Sequence, residues 1–242
     1  MNRTESILGI HIDDDFLNIV HLGRTARGLC LFASDAEPLE AGVVKDGQIL
    51  NTESVSQKIR HFIATARPKP HKVVMLPSCT AVRLRPSRFP AQAKDQLQTL
   101  IEEQISEYTF FGNGEIVFDY CVFAARNADT QTVLEAVTTR RISDAFLTIA
   151  SRAKLTLVRI EPAIMPIIKL MLDKSSSRIE DVSLLLALES ASGNISVFKN
   201  ARPHLCQNLD IGVNDVLANP DNLTPPAQKL KPVLDFAQSI AD

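Results

Sequence analysis

Acidic and histidine side chains cluster near the start of the chain. Asp13, Asp14 and Asp15 interrupt a segment, 7–22, in which apolar residues alternate with polar ones. Two half-buried strands joined by a tight turn have this pattern, and aspartate carboxylates accept hydrogen bonds from backbone N–H groups in such turns. Carboxylates can also hold Mg²⁺ for hydrolysis, but that chemistry needs acids converging from separate strands. Consecutive residues point in different directions, and Glu189 is the one obvious acid on a second strand. The sequence therefore favours a solvated turn.

The histidines and cysteines do not form a recognisable metal site. His11 and His21 belong to the same expected hairpin, but no cysteine or third histidine is near them in sequence, which makes zinc binding a weak candidate. The four cysteines are far apart and contain no C-x-x-C pair, which favours reduced thiols. The sequence also lacks a Gly-x-Ser-x-Gly elbow, a Walker loop and an H-E-x-x-H helix. We expect no metal and no catalytic residue.

Composition narrows the classes of partner. The chain has 242 residues, a formal net charge of −2 and no tryptophan, and 5% of its residues are aromatic. A nucleic-acid polyanion or a base-stacking surface is therefore not expected. The longest apolar runs, 163–172 and 182–188, are shorter than the roughly 20 residues of a membrane helix, and the first residues lack the pattern of a secretory signal. The sequence predicts a cytoplasmic protein.

The elements that must position these residues begin with an antiparallel unit. After the hairpin, a short apolar run at 28–33 predicts a third strand. Apolar residues then recur at helical spacing from Thr52 to Ala66, ahead of Pro68, and 73–76 is typical of a buried strand. Three strands, a helix and a strand make the first half of a ribonuclease H-like unit.

A different pattern occupies the middle of the chain. The predicted elements are, in order, a strand with alternating arginines, an amphipathic helix, two strands and a second amphipathic helix, at 82–85, 91–108, 115–124, 132–138 and 142–153. Together they would form a compact α+β module. The sequence therefore predicts an insert that spans 79–154.

The last third returns to the earlier pattern. A strand at 157–160 leads into an apolar helix that starts at Glu161-Pro162, since proline suits the first helical turn. Further strands are predicted at 182–188, 195–198 and 204–209, followed by a short helix from Gln228. We expect three parts: a first subdomain (1–78 with 155–178), the insert (79–154) and a partial second subdomain (179–242).

Several short phrases occur in a recognisable order and spacing. They are Leu8-Gly9-Ile10 with Ile12, Val43-Val44-Lys45-Asp46-Gly47-Gln48-Ile49, Leu76-Pro77-Ser78, Arg88-Phe89-Pro90, Phe118-Asp119-Tyr120, Glu161-Pro162-Ala163 and Gly212-Val213-Asn214. In these phrases the chain resembles the PilM family of type IV pilus assembly proteins, which are actin-like and related to the cell-division protein FtsA. The resemblance implies an α/β fold with an actin-like (ribonuclease H-like) core and an inserted α+β subdomain.

The chain departs from the family at the nucleotide loops. Family members begin with a Gly-Ile-Asp-Ile-Gly-Ser type phosphate loop, where this chain has His11, Asp13 and Asp14. A side chain thus replaces the glycine that admits a phosphate, and a unit-charge pair about 4 Å apart costs ~4 kcal/mol at an effective dielectric of about 20. The family's second loop is Asp-x-Gly, where this chain has Glu189 and Ser190. The chain also ends before the family's adenosine-binding segments. We therefore expect a truncated protein with degenerate nucleotide loops and no cofactor.

The resemblance also implies a partner. Family members bind the short cytoplasmic N-terminal peptide of an inner-membrane pilus protein, in a groove between the first subdomain and the insert. Here that groove would be bordered by 76–89 and 110–120. Arg83, Arg85 and Arg88 lie at this junction and are expected to strengthen partner binding, with a solvated strand face as the alternative. The protein would then be peripheral to the inner membrane through its partner, and homo-oligomerisation stays open.

Two other interpretations keep the same fold. The chain could be the cytoplasmic domain of a type II secretion adaptor, or an actin-like ATPase whose remaining half lies outside this chain. The glycines missing from the phosphate loops favour an adaptor without enzymatic activity.

Overall fold

The structure is a computed structural model that describes residues 6–91, 94–109, 112, 114–123, 129–174, 182–218 and 224–241. The elements of the first part are, in order, β1 (Ser6–Ile12), β2 (Phe16–Thr25), β3 (Gly28–Pro38), β4 (Val44–Lys45), β5 (Gln48–Ile49), α1 (Thr52–Thr65) and β6 (Lys72–Pro77). The middle part contains β7 (Arg83–Pro90), α2 (Lys94–Ser106), β8 (Ile116–Phe123), β9 (Thr130–Thr139) and α3 (Arg140–Arg152). The last part contains β10 (Thr156–Ile160), α4 (Ile164–Lys174), β11 (Val182–Leu188), β12 (Gly193–Lys199), β13 (Arg202–Leu209), α5 (Val213–Ala218) and α6 (Thr224–Ala241).

The largest sheet has five strands in the order β10-β6-β1-β2-β3. The meander β1-β2-β3 is antiparallel, and β1 pairs in parallel with β6, which in turn pairs in parallel with β10. The predicted hairpin is confirmed: Ile12 lies opposite Leu17, and Asp13, Asp14 and Asp15 form its turn. The carboxyl ends of β1 and β6 therefore lie side by side, which places the aspartate turn next to the segment that follows Pro77.

One face of this sheet is covered by α1 and α3. The α1 side chains Val55 and Ile59 are fully buried against sheet residues such as Leu8 and Ile10. Burying each such side chain contributes roughly 1.5–3 kcal/mol. The helix begins at an N-cap, Asn51, whose side chain accepts a hydrogen bond of 3.0 Å from the Ser54 amide. Helical spacing of apolar residues, a cap and the covered sheet face thus agree for α1.

The position of α3 differs from the sequence expectation. The segment 142–153 was expected to pack within the insert, but Ile142, Phe146 and Ile149 are buried in the same core as the five-stranded sheet and α1. The sequence shows that α3 has one apolar face and not which sheet that face covers. The division into 1–78 with 155–178, 79–154 and 179–242 stays a prediction, and this packing favours an insert that ends near Thr139.

A separate three-stranded sheet, in the order β7-β9-β8, forms the middle part with α2. Its own small core contains Phe89, Leu97, Ile101, Val133 and Val137. A buried polar group lies beside it: the Tyr108 hydroxyl donates to Glu135 Oε2 at 2.6 Å, and Gln104 donates to Glu135 Oε1 at 3.2 Å. Glu135 is fully buried, so these donors offset the cost of removing its carboxyl from water.

The third sheet has the antiparallel order β11-β12-β13, with α6 packed on one face. The sequence predicted the three strands, but only a short helix from Gln228, whereas α6 extends over Thr224–Ala241. β11 is an edge strand without charged residues, and its side chains Leu184, Leu186 and Leu188 are 36–40% exposed. Among the described residues, no helix is both long and apolar enough to cross a membrane.

Candidate functional site

The three consecutive aspartates bind three different parts of the molecule. Asp13 is 6% exposed, and its Oδ1 accepts hydrogen bonds from the amides of Asp15 (2.9 Å) and Phe16 (2.6 Å). The Asp14 carboxylate accepts from the amides of Asp46 (2.7 Å) and Gly47 (2.9 Å) in the β4–β5 turn. The carboxylates diverge as the sequence predicted, but the expectation of a solvated turn is wrong for Asp13, because local amides and a distant hydroxyl surround its carboxylate.

Gly47 fixes the β4–β5 turn against the loop after β6. Its φ is +73°, and a Cβ at this position would lie 2.5 Å from both the Ser78 and Thr80 hydroxyl oxygens. A residue with a side chain is therefore excluded both by backbone conformation and by space. The close approach holds the amides that bind Asp14 in place.

The turn after β11 supplies the partners on the other side. Glu189 is 9% exposed, and its Oε1 lies 3.1 Å from the His11 Nε2, whose N–H donates to the carboxylate. The Cys79 amide donates to Oε1 (3.1 Å) and Oε2 (2.9 Å), and the Ser192 hydroxyl donates to Oε2 at 3.3 Å. The Ser190 hydroxyl donates to Asp13 Oδ2 at 3.0 Å. The two loops that the sequence singled out thus bind each other directly.

A third link comes from the start of α5. Asn214 Nδ2 donates to Asp15 Oδ2 at 2.7 Å, and its amide donates to the Ser190 carbonyl at 3.0 Å. Gly212 allows this approach, since a Cβ there would lie 2.2 Å from the Ser190 carbonyl oxygen. We call the side chains that join the β1–β2 turn to the last third of the chain the clasp: His11, Asp13, Asp15, Glu189, Ser190 and Asn214.

The clasp is a poor fit for the phosphates of a nucleotide. The amides that could approach a phosphate, those of Asp15, Phe16 and Cys79, already donate to the carboxylates of Asp13 and Glu189. Two buried carboxylates would also repel a polyanion. Among the described residues, no group of three His, Cys, Asp or Glu side chains is placed to hold a metal ion that would offset this repulsion.

Burial raises the pKa of the Cys79 thiol, and the Glu189 carboxylate raises it further.

A groove of about 490 Å³ lies between the first and middle sheets. Most of its lining is apolar and comes from β7, β8, β9, β10 and α4: Leu84, Cys121, Phe123, Leu134, Ala136, Ile160, Pro162, Met165 and Ile168. Charged side chains at Asp119, Arg159, Glu161 and Lys169 also line it. Glu161 pairs with Lys169 and lies 4.0 Å from Arg159, so the charges are partly satisfied within the wall.

The groove agrees only in part with the segments expected from the sequence. Leu84 lies in the expected segment 76–89, and Asp119 and Tyr120 lie in 110–120, of which residues 110, 111 and 113 lie outside the described part of the chain. The wall formed by 159–169 was not anticipated, because apolar residues cover nearly every face of α4 and so predict a buried helix. In the structure, the side chains Ile167 and Leu170 are 44% and 60% exposed.

The three arginines of β7 do not share one face. All three are exposed. Arg83 and Arg85 lie on the face of β7 opposite to buried Leu84, whereas Arg88 lies on the same face as Leu84. Arg85 stacks over the Tyr108 ring, 4.7 Å from its centroid, on the face covered by α2. Burial lowers the pKa of His204 in β13, and the positive charges of Arg88, Lys199 and Arg202 lower it further. Successive side chains of a strand point to opposite faces, so Arg83 and Arg85 cannot share a face with Arg88.

Comparison with known proteins identifies the family. The family model described as type IV pilus assembly protein PilM matches residues 9–181. The chain belongs to the PilM family. No curated protein sequence matches this PilM-family chain.

Solved structures show the fold of this PilM-family protein. The PilM-PilN type IV pilus biogenesis complex is similar with a TM-score of 0.77 and 19% identity, over 97% of this chain and 75% of that chain. A Bacteroides thetaiotaomicron protein with an actin-like ATPase fold and unknown function gives 0.54 and 10%, over 95% and 77%. The cytoplasmic domain of EpsL, an inner-membrane component of the Vibrio cholerae type II secretion system, gives 0.50 and 15%, over 91% and 77%. The fold is actin-like.

Some members of this site were not identified from the sequence. Asn214 belongs to a phrase that resembles the PilM family, but nothing in the sequence indicates that its side chain binds Asp15, 199 residues away. The Cys79 amide and Ser192 were missed for the same reason. Their signal is weak: polar residues beside Gly193 and Gly212 mark turns, but they do not indicate which distant turn they bind.

Proposed function

We propose that this protein is an adaptor of a type IV pilus assembly complex, which binds the cytoplasmic N-terminal peptide of an inner-membrane pilus protein. The observation that supports this proposal is the groove between the first and middle sheets, with its apolar lining and charged residues. The membership of this chain in the PilM family and its similarity to a PilM-PilN complex agree with such a partner.

The groove suits a peptide in extended conformation. β8 and β10, which both contribute to its lining, are edge strands of their sheets. Edge strands offer backbone N–H and C=O groups to an added strand, while pockets between the sheets accept alternate side chains. Apolar residues such as Met165 and Phe123 favour apolar peptide side chains, and Asp119 and Lys169 can fix the register of a charged one.

We propose that the protein acts without a nucleotide and is not an enzyme. A phosphate needs hydrogen-bond donors around it. The clasp instead presents the carboxylates of Asp13 and Glu189, which are hydrogen-bond acceptors and already occupy the nearby donors. Calorimetric titration with Mg-ATP should give no binding tighter than millimolar, and micromolar affinity would contradict this part of the proposal.

The proposed location is the cytoplasmic side of the inner membrane, reached through the partner. Self-association of the protein is compatible with this role. A second candidate keeps the fold and the location but places the protein in a type II secretion complex, which the similarity to the EpsL cytoplasmic domain favours. Peptides from the two classes of inner-membrane protein, compared in one binding assay, would separate the candidates.

Two variants of α4 test the groove. Met165 lines the groove, whereas Ile167, two residues away, does not line it and is 44% exposed. Fluorescence anisotropy with a labelled peptide of the partner's cytoplasmic N-terminus should show that Met165→Asp weakens binding by about tenfold or more, as for a central interface side chain. The Ile167→Asp control should bind like the wild type. Equal binding by both variants would place the peptide elsewhere.

A further inference from the structure

The lining of the groove continues into the third sheet. Leu84, Leu134 and Ile168, which line the groove, belong to one buried cluster with Phe198 of β12, which is fully buried. Side chains of β11 and β13, including Leu185 and Cys206, pack against the same cluster. Because interiors are close-packed, a shift of the third sheet would move α4 and change the width of the groove.

The clasp is one set of hydrogen bonds that fixes the third sheet on the first. It joins the β1–β2 turn to residues 189–214 through Asp13–Ser190, His11–Glu189 and Asp15–Asn214. The second set centres on Asn208 of β13, which donates to the carbonyls of Cys79 and Val82, the latter at 3.2 Å, and accepts from Asn194 at 3.0 Å. The Cys79 amide, which donates to Glu189, and the bonds of Asn208 tie the segment between β6 and β7 to the third sheet, and this segment leads to the groove residue Leu84.

The clasp places carboxylates in the two loops, at His11 to Asp14 and Glu189 to Ser190, where the resemblance to the PilM family implies phosphate loops. The Glu189 carboxylate accepts from a backbone amide, a ring N–H and a hydroxyl, and Asp13 accepts from two amides and a hydroxyl. These are the donors that also bind phosphate oxygens. Unlike a bound nucleotide, however, the carboxylates cannot dissociate or be hydrolysed.

We propose that the clasp does the bridging work of a nucleotide permanently, and so holds the groove in its binding form at all times. This inference rests on the proposed peptide-binding function and concerns its regulation: partner binding is constitutive and independent of nucleotide. A ligand can shift a conformational equilibrium only through differential affinity for its states. A cleft already bridged by its own side chains leaves Mg-ATP no such difference to act on.

Clasp variants and a matched control test the proposal. Glu189→Gln removes the charge with little change of shape, and Ser190→Ala removes the bond to Asp13 alone, which keeps a mild variant available if the first one unfolds. Glu103→Gln, at an exposed position of α2, is the control. Each protein is titrated with the labelled partner peptide, with and without Mg-ATP, and hydrogen–deuterium exchange is followed in β8 and α4.

The proposal predicts that the clasp variants weaken peptide binding by about 5- to 150-fold, the usual range of coupling between sites. It also predicts faster exchange in β8 and α4, and no effect of Mg-ATP on the wild type. Unchanged exchange and affinity in folded clasp variants would overturn it, as would tighter peptide binding by the wild type with Mg-ATP. If the wild type does not bind the peptide at all, the proposed function fails, and the exchange data then decide whether the clasp holds the groove.

Discussion

At the scale of single residues, Glu189 is the clasp residue whose carboxylate connects several segments of the chain. Its buried carboxylate accepts from His11, from the Cys79 amide and from Ser192, which come from three different segments. A buried carboxyl remains stable only when such donors replace water. Glu189 therefore contributes to the stability of the fold, and the effect of replacing it should be measurable in the isolated protein, without a partner peptide.

We expect Glu189→Ala to lower the free energy of unfolding by about 1–3 kcal/mol, because the buried Cys79 amide loses its acceptor. Urea denaturation followed by circular dichroism measures this change. Glu103→Ala, at an exposed site of α2, should leave the unfolding midpoint unchanged. A Glu189→Ala curve that superimposes on the wild type would show that the Cys79 amide finds another partner.

His21 has the opposite environment. It is fully buried, packs with Phe32 at a ring-centroid distance of 5.1 Å, and neither ring nitrogen has a hydrogen-bond partner. Burial lowers the pKa of His21 below its usual 6.5. The unfolded chain therefore takes up a proton at a higher pH than the folded protein, so stability falls as the pH decreases below about 6.5.

The variant His21→Leu should raise the free energy of unfolding by about 1–3 kcal/mol at neutral pH, since two unsatisfied buried nitrogens are removed. The gain should increase between pH 6.5 and pH 5, where the wild type loses stability. Urea denaturation over this pH range tests both effects, with His61→Leu at an exposed position of α1 as the control. A gain that does not change with pH would mean that His21 takes up its proton at the same pH in the folded and unfolded states.

At the scale of elements, the sequence predicted which segments are helices and strands better than which surfaces they cover. α1 was anticipated as a helix because the helical spacing of its apolar residues and the following Pro68 agree. α3 was anticipated as a helix, but it packs against α1 and β10, and its buried side chains belong to the core of the five-stranded sheet. A hydrophobic face reports burial, whereas the choice of sheet depends on the path of the whole chain, which local patterns do not contain.

The placement of α3 leads to a direct test. Phe146 is 1% exposed in the core of the five-stranded sheet, whereas the neighbouring Leu147 is 52% exposed. We expect Phe146→Ala to cost about 3–5 kcal/mol of stability, and Leu147→Ala to have little effect. In hydrogen exchange, Phe146→Ala should expose β1 and β6 before β8 and β9. Preferential loss of protection in β8 and β9 would return α3 to the insert.

At the scale of the whole molecule, the loops at 11–14 and 189–190 were found from the sequence because they depart from the PilM family. Their mutual contact was not, since Asp13 and Ser190 are separated by 177 residues. Such a contact depends on how the first and third sheets face each other. The resemblance supplied that arrangement in outline, but it did not indicate which side chains of the two loops bind each other.

The partner-binding role expected of the β7 arginines stays a prediction, and it would act through the charge of the molecular surface. Arg88 lies on the strand face that carries the groove residue Leu84, whereas Arg83 and Arg85 lie on the face covered by α2. Exposed charges contribute about 0.2–1 kcal/mol each, mainly to the association rate. We therefore expect Arg88→Glu to slow association with an acidic partner peptide by up to about fivefold at low ionic strength.

Stopped-flow association kinetics measure this rate, with Arg83→Glu and Arg85→Glu as controls on the same strand. The difference between Arg88→Glu and the wild type should shrink at high salt, because screening weakens charge interactions at the surface. A larger effect from either control than from Arg88→Glu would place the partner on the α2 face of the sheet.

The uncharged edge of β11 has a consequence for how the protein behaves when concentrated. Most edge strands carry a charge or a proline that discourages pairing with other molecules, as Arg88 and Pro90 do in β7, whereas β11 exposes Leu184, Leu186 and Leu188. We expect the purified protein to scatter more light as its concentration rises, through strand-to-strand association. Leu186→Lys, which adds a charge to β11, should delay the onset of this turbidity, while Ser239→Lys on the exposed surface of α6 should not.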